Sequence, residues 1–203
     1  MELITTNNRP KGADIVAYNP HAPHVAAALQ VLGSETEFFR VFVPANLHDV
    51  CNRQLNAMRL GKTRQVSLIM AAYGTAPVLR CIKEHLIWLK MQNLYDWSDA
   101  EIQLIAVGIL RTEEARLLDW ISLLRFFRDI ADGRITLYGG NYGSVMQAFQ
   151  DYNKRARVRD GEMRTQLAQE KEQSTAEVLR GEAVAKIIQQ LKDEIKDGND
   201  ERL

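Results

Sequence analysis

Two cysteines, Cys51 and Cys81, are all the thiol chemistry that the 203 residues carry. Two cannot build a disulfide framework, and both stand in apolar, helix-like surroundings. Reduced thiols in a cytoplasmic protein are therefore expected. Neither has a second cysteine two residues away, which excludes zinc-knuckle spacing. Proline is absent from the last 126 residues, since all five (Pro10, Pro20, Pro23, Pro44 and Pro77) fall in the first 77. Long uninterrupted helices are thereby allowed. No apolar run approaches the ~20 residues that span a bilayer, so no membrane contact is expected. The polar stretch from Met1 to Gly12 lacks the basic-then-apolar order of a secretory signal. Net charge is also missing, with 26 lysines and arginines against 26 aspartates and glutamates. That excludes a broadly basic nucleic-acid binder but leaves room for a local basic patch. No repeat of fixed period occurs.

What is present points to helices. A hydrophobic content of 46% suffices for a real core. The pattern predicts an all-α fold: an extended polar arm over residues 1–23, a helical bundle over 24–152, and a protruding polar helix with an amphipathic end over 153–203. Pro23 suits the first position of a helix that Gly33 stops. The run from Glu37 to Val43 is aromatic and β-branched. With no second strand to pair with, it reads as an extended or short helical connector that buries Phe38, Phe39 and Phe42. Asn46 is placed to cap a helix running through Leu47, Cys51, Leu55 and Met58. Val78 to Leu94 reads as a clean amphipathic helix. Ser98 and Glu101 form a capping box. Thr112 caps a helix that carries Leu117, Leu118, Trp120, Leu124 and Phe127 to a stop at Gly133. That helix is the expected centre of the bundle.

Chemistry-bearing motifs are few. Gly61-Lys62-Thr63 looks like the end of a phosphate loop, but the glycine required five positions earlier is Asn56, and no strand precedes it. His21, His24, His48 and His85 have no metal-ligand spacing. The carboxylates sit at helix starts and on polar faces, and none pairs as an acid/base couple. Asp129 and Asp132 lie at a helix end where the dipole disfavours them, and Arg125, Arg128 and Arg134 are at hand to compensate. No catalytic residue, metal or cofactor is expected.

Three features remain. Residues 132–143 hold four glycines and the tyrosines Tyr138 and Tyr142 between two long helices, which marks a tight corner with exposed or packed rings. A basic cluster follows at Lys154, Arg155, Arg157 and Arg159, with Arg164 beyond, the local positive density that phosphate contacts need. Its bland reading is a polar helix face neutralised by Asp160 and Glu162. Last, Val184, Ile188, Leu191 and Ile195 are spaced four, three, four, as in a heptad seam, which suits self-association or a protein partner.

The stretch from Trp120 to Arg155 loosely resembles helical proteins of unassigned function carried by bacterial phages and conjugative elements. In those a glycine–tyrosine corner precedes a helix with a tyrosine and a basic tail. The stretch covers about a fifth of the chain, and the matching residues in it are Phe126, Phe127, Gly133, Tyr138, Gly139, Tyr142, Gly143, Tyr152 and Arg155, while Gly140 and Asn141 depart from the tighter corner. The resemblance implies a non-enzymatic accessory role in DNA replication or transfer. Single- or double-stranded DNA would then meet Lys154, Arg155, Arg157, Arg159, Tyr138 and Tyr142. The rival expectation is an oligomeric helical scaffold or adaptor that never meets nucleic acid.

Overall fold

The computed structural model describes residues 18–92 and 94–200, with side chains through Gln190. The expected extended arm at 1–23 lies mostly outside the described residues. Among the described residues there is no strand, only one isolated antiparallel bridge between Gln65 and Asp119. Ten α-helices account for the described fold: α1 Pro23–Leu32, α2 Glu35–Val41, α3 Leu47–Asn52, α4 Gln54–Arg59, α5 Val66–Tyr73, α6 Thr75–Met91, α7 Asp99–Arg111, α8 Glu113–Leu117, α9 Trp120–Ala131 and α10 Tyr142–Asp200. The all-α architecture is as the sequence predicts.

Two compact units divide the chain after Asp160. In the first, α9 is the hub. It packs against α3, α5 and α6. Trp120, Leu123, Leu124, Phe126 and Phe127 are all fully buried on it. The early turns of α10 close over this helix: the Phe149 and Tyr152 rings lie 5.0 and 5.4 Å from Phe126. Burial continues past Tyr152 to Ala156 and Asp160, two turns beyond the 152 boundary expected from composition. The second unit, from Gly161, is helical through Asp200, and every described side chain from residue 171 to 190 is exposed.

Local sequence explains most helix ends. Gly33 has a φ of +82°, a left-handed conformation that glycine adopts without strain, and it closes α1. The Ser98–Glu101 capping box forms, and the Thr112 hydroxyl accepts from the Ala115 N–H. Residues 35–41 take the helical of the two forms open to them, because Ser34 and Glu37 make a second capping box that outweighs the β-branched and aromatic content. The structure departs from expectation at three ends. Asn46 does not cap α3. It ends a 3₁₀ turn and already has αR backbone, and its side-chain amide donates to the Val41 carbonyl instead. The run expected as one helix from Leu47 to Met58 breaks at Arg53 into α3 and α4. The run from Thr112 to Gly133 breaks at Leu118. There the chain turns extended, the Val66 and Trp120 N–H groups donate to Leu118 and Arg64, and the Asp119 carboxylate caps α9 by accepting from Ile121.

Candidate interaction surface

The basic cluster does not assemble as one patch. Lys154 is exposed and pairs with Asp151 at 3.8 Å. Arg155 and Arg157 are exposed, but two residues along a helix turn the side chain through about 200°, so they flank opposite sides of α10. Arg159 turns inward. Its guanidinium donates to the Ser122 hydroxyl at 3.2 Å and the Tyr152 hydroxyl at 2.9 Å, and lies over the Tyr152 ring. Arg164 is exposed in the second unit. Among the described residues Arg155, Arg157 and Arg164 therefore have no ion pair, while Arg159 holds the fold.

Asp160 is not a solvated neutraliser either. It is 3% exposed, and its carboxylate accepts from the Gln54 amide at 3.1 Å, the Asp119 N–H at 3.0 Å and the Ser122 hydroxyl. Asp119 in turn accepts from the Thr63 hydroxyl at 3.0 Å. This buried network pins α10 to the start of α9 and to α4. It also consumes Thr63, the last residue of the phosphate-loop-like triplet.

The glycine–tyrosine corner separates its two rings. Gly139 and Gly140 both have positive φ, and the Tyr95 ring lies so close that a Cβ on Gly140 would sit 2.8 Å from it. The Trp97 indole N–H donates to the Gly140 carbonyl, and Trp97 stacks on Tyr95 at 4.7 Å. Asn141 then caps α10 by accepting from the Ser144 N–H at 2.9 Å. Tyr142 packs over Gly108 of α7, where a Cβ would meet its ring at 2.7 Å. Tyr138 instead stands 85% exposed. From Tyr142 to Arg155 the helix rises about 20 Å, so the corner and the arginines do not share one compact site.

The end of α10 presents a different surface. Val184, Ile187 and Ile188 are 55%, 55% and 48% exposed. Leu191 and Ile195 lie outside the described side chains. Upstream, Val178 and Leu179 are also exposed.

Sequence spacing does not flag one thiol–imidazole pair. Cys81 and His85 sit one turn apart on α6, with the sulfur 3.9 Å from Nδ1. The pair is inert as a nucleophile and base. Burial pushes the Cys81 thiol well up and keeps it protonated. The His85 Nδ1–H is spent on the Cys81 carbonyl at 2.8 Å, and burial lowers the imidazole to about 4. His85 is therefore neutral in the fold and must be desolvated uncharged. Its folded pKa lies below its unfolded value near 6.5, so the unfolded chain binds the extra proton between the two. Stability is full above about pH 6.5 and falls as pH drops toward 4, by about 3 kcal/mol from this residue. Urea midpoints from pH 7 to pH 4 should show that decline, and His85→Phe should reduce it.

Among the described residues no group of three or more histidine, cysteine or carboxylate side chains could hold a metal ion. No described helix is long and apolar enough to cross a membrane. No protein-family model, curated protein or solved structure matches the chain, so its own surfaces carry the functional reading.

Proposed function

We propose that the protein is an oligomeric, non-enzymatic helical scaffold that associates through the last turns of α10. One observation carries this: Val184, Ile187 and Ile188 are about half exposed on one face of a helix whose described neighbours are all exposed. At about 100° per residue these three fall within an arc of about 100°, and the heptad spacing of the sequence continues to Leu191 and Ile195. Water contact with such a stripe is unfavourable by roughly 25 cal/mol per Å² of apolar surface, and pairing with a like helix removes it. Two heptads alone make a marginal coiled coil. The polar turns upstream, rich in glutamate, glutamine and lysine, extend the helix that has to pair.

The test keeps the full chain. Ile188→Asp places a charge in the seam at an exposed position, where it leaves the first unit intact. Sedimentation equilibrium should then give a lower mass than wild type at the same concentration. Equal masses would sink the proposal.

A second reading has its own observation. Arg155 and Arg157 are exposed without ion pairs among the described residues, and Tyr138 is exposed nearby in sequence. These support a nucleic-acid contact of the accessory kind that the phage-protein resemblance implies. Arg155→Gln with Arg157→Gln should weaken DNA binding in fluorescence anisotropy and reduce the salt slope by about one for each phosphate no longer neutralised. No binding by the wild-type chain at low salt would remove this reading.

A further inference from the structure

A cleft of about 620 Å³ lies among α1, α2, α3 and α4. Its volume falls in the range of about 300–1,000 Å³ that small-ligand sites occupy. Leu32, Phe38, Phe42 and Ile121 line its depth, each no more than 7% exposed. Val31 and Val41 line it nearer the surface, at 45% and 50% exposed. Two exposed valines around one aromatic-floored cleft are apolar surface that a bound alkyl chain would cover.

The rim is charged. It carries Arg40, Arg53 and Lys62 against Glu37 and Asp49. Both carboxylates are already engaged. Glu37 accepts from the Ser34 hydroxyl at 2.8 Å and the Ser34 N–H at 3.2 Å, and Asp49 pairs with Arg53 at 3.2 Å. Arg40 and Lys62 are exposed and make no ion pair among the described residues; Arg40 acts on the Glu37 carboxylate only weakly, behind its two Ser34 hydrogen bonds, so both cations are open to a ligand.

We infer that this cleft binds a single-chain amphiphile with an anionic head group, its tail on Phe38 and Phe42 between Val31 and Val41 and its head at Arg40 and Lys62. An apolar body with one anionic end matches an apolar depth under a rim on which Arg40, Arg53 and Lys62 outnumber Glu37 and Asp49. A nucleic acid or a free anion would use the rim alone and leave the aromatic floor unused.

The experiment titrates the full chain with decanoate below its micelle concentration, following methyl resonances by NMR and heat by calorimetry. Decanol, inorganic phosphate and anionic phospholipid vesicles are the comparison ligands. Decanoate should bind at one site and shift the Val31 and Val41 methyls, while decanol binds more weakly and phosphate leaves those methyls unmoved. Arg40→Gln with Lys62→Gln should weaken decanoate about three- to tenfold, the size expected of two exposed charge contacts. Val41→Glu, at an exposed position, should abolish binding with the thermal melt unchanged. Equal affinity for decanol and decanoate, or decanoate binding without methyl shifts, would overturn the inference. So would binding to vesicles but not to decanoate, which would make the face a membrane contact.

Discussion

Replacing Phe127 by alanine should lower the unfolding free energy by about 3–5 kcal/mol, the range for truncating a buried aromatic residue. The side chain is fully buried at the middle of α9. It lies 5.6 Å from the His85 ring, stacked, and 5.5 Å from the Phe126 ring, edge-on. Those contacts join α6 to α9, and through Phe126 they reach Phe149 and Tyr152 on α10. A cavity here loosens three helices together, and α9 cannot relax into it without dislodging Trp120 and Phe126. Urea unfolding at neutral pH measures the cost. A loss under about 1 kcal/mol would mean that α9 is peripheral.

Asp160→Ala should cost about 2–6 kcal/mol, because it leaves two buried neutral donors unsatisfied at about 1–3 kcal/mol each. The Ser122 hydroxyl and the Asp119 N–H lose their acceptor, and the Gln54 amide is left with the Ser122 hydroxyl alone. Each is buried and cannot recover a water partner without opening the packing. Asp160→Asn keeps one oxygen acceptor and should cost less than alanine. Equal losses for the two would show that one neutral oxygen cannot hold the network and that the charge and second oxygen of the carboxylate carry the whole effect. The same substitutions should speed amide hydrogen exchange in α10 around Asn153 to Asp160 before they affect α7. That order follows because the network is what fastens this part of α10 to α4 and α9.

These two residues also mark how far a single sequence reaches. Phe127 is readable as core, because Trp120, Leu124 and Phe127 repeat at helical spacing and Gly133 supplies a stop. The break at Leu118 is not, because apolar residues run on through it. Its only local mark is Asp119, an N-cap residue before a new apolar run. Ser34 with Glu37 marks the start of α2 just as clearly as Ser98 with Glu101 marks α7, but the aromatic run behind it leaves an extended connector as open as a short helix. Asp160 has no local signal at all. Its neighbours Arg157, Arg159 and Glu162 describe a polar helix face, while its burial depends on Gln54 and Ser122, 106 and 38 residues away. The basic cluster misleads for a simpler reason: residues adjacent in sequence are not adjacent on a helix surface, and Arg155 and Arg157 point apart. The exposed apolar stripe at Val184 and Ile188 follows from local spacing alone and needs no tertiary context.

The pH response of His85 separates the two units experimentally. It belongs to α6 and the first unit, so acid weakening should lower the cooperative unfolding transition without first altering the association proposed for α10. A drop in oligomer mass at pH 5 that precedes any loss of near-ultraviolet circular dichroism would assign the sensitivity to the seam instead.

The most direct measurement is the mass of the unmodified chain by sedimentation equilibrium across about 1–100 µM. The scaffold account predicts a mass that rises with concentration to a whole multiple of 23.1 kDa. A value fixed at 23.1 kDa throughout would contradict it.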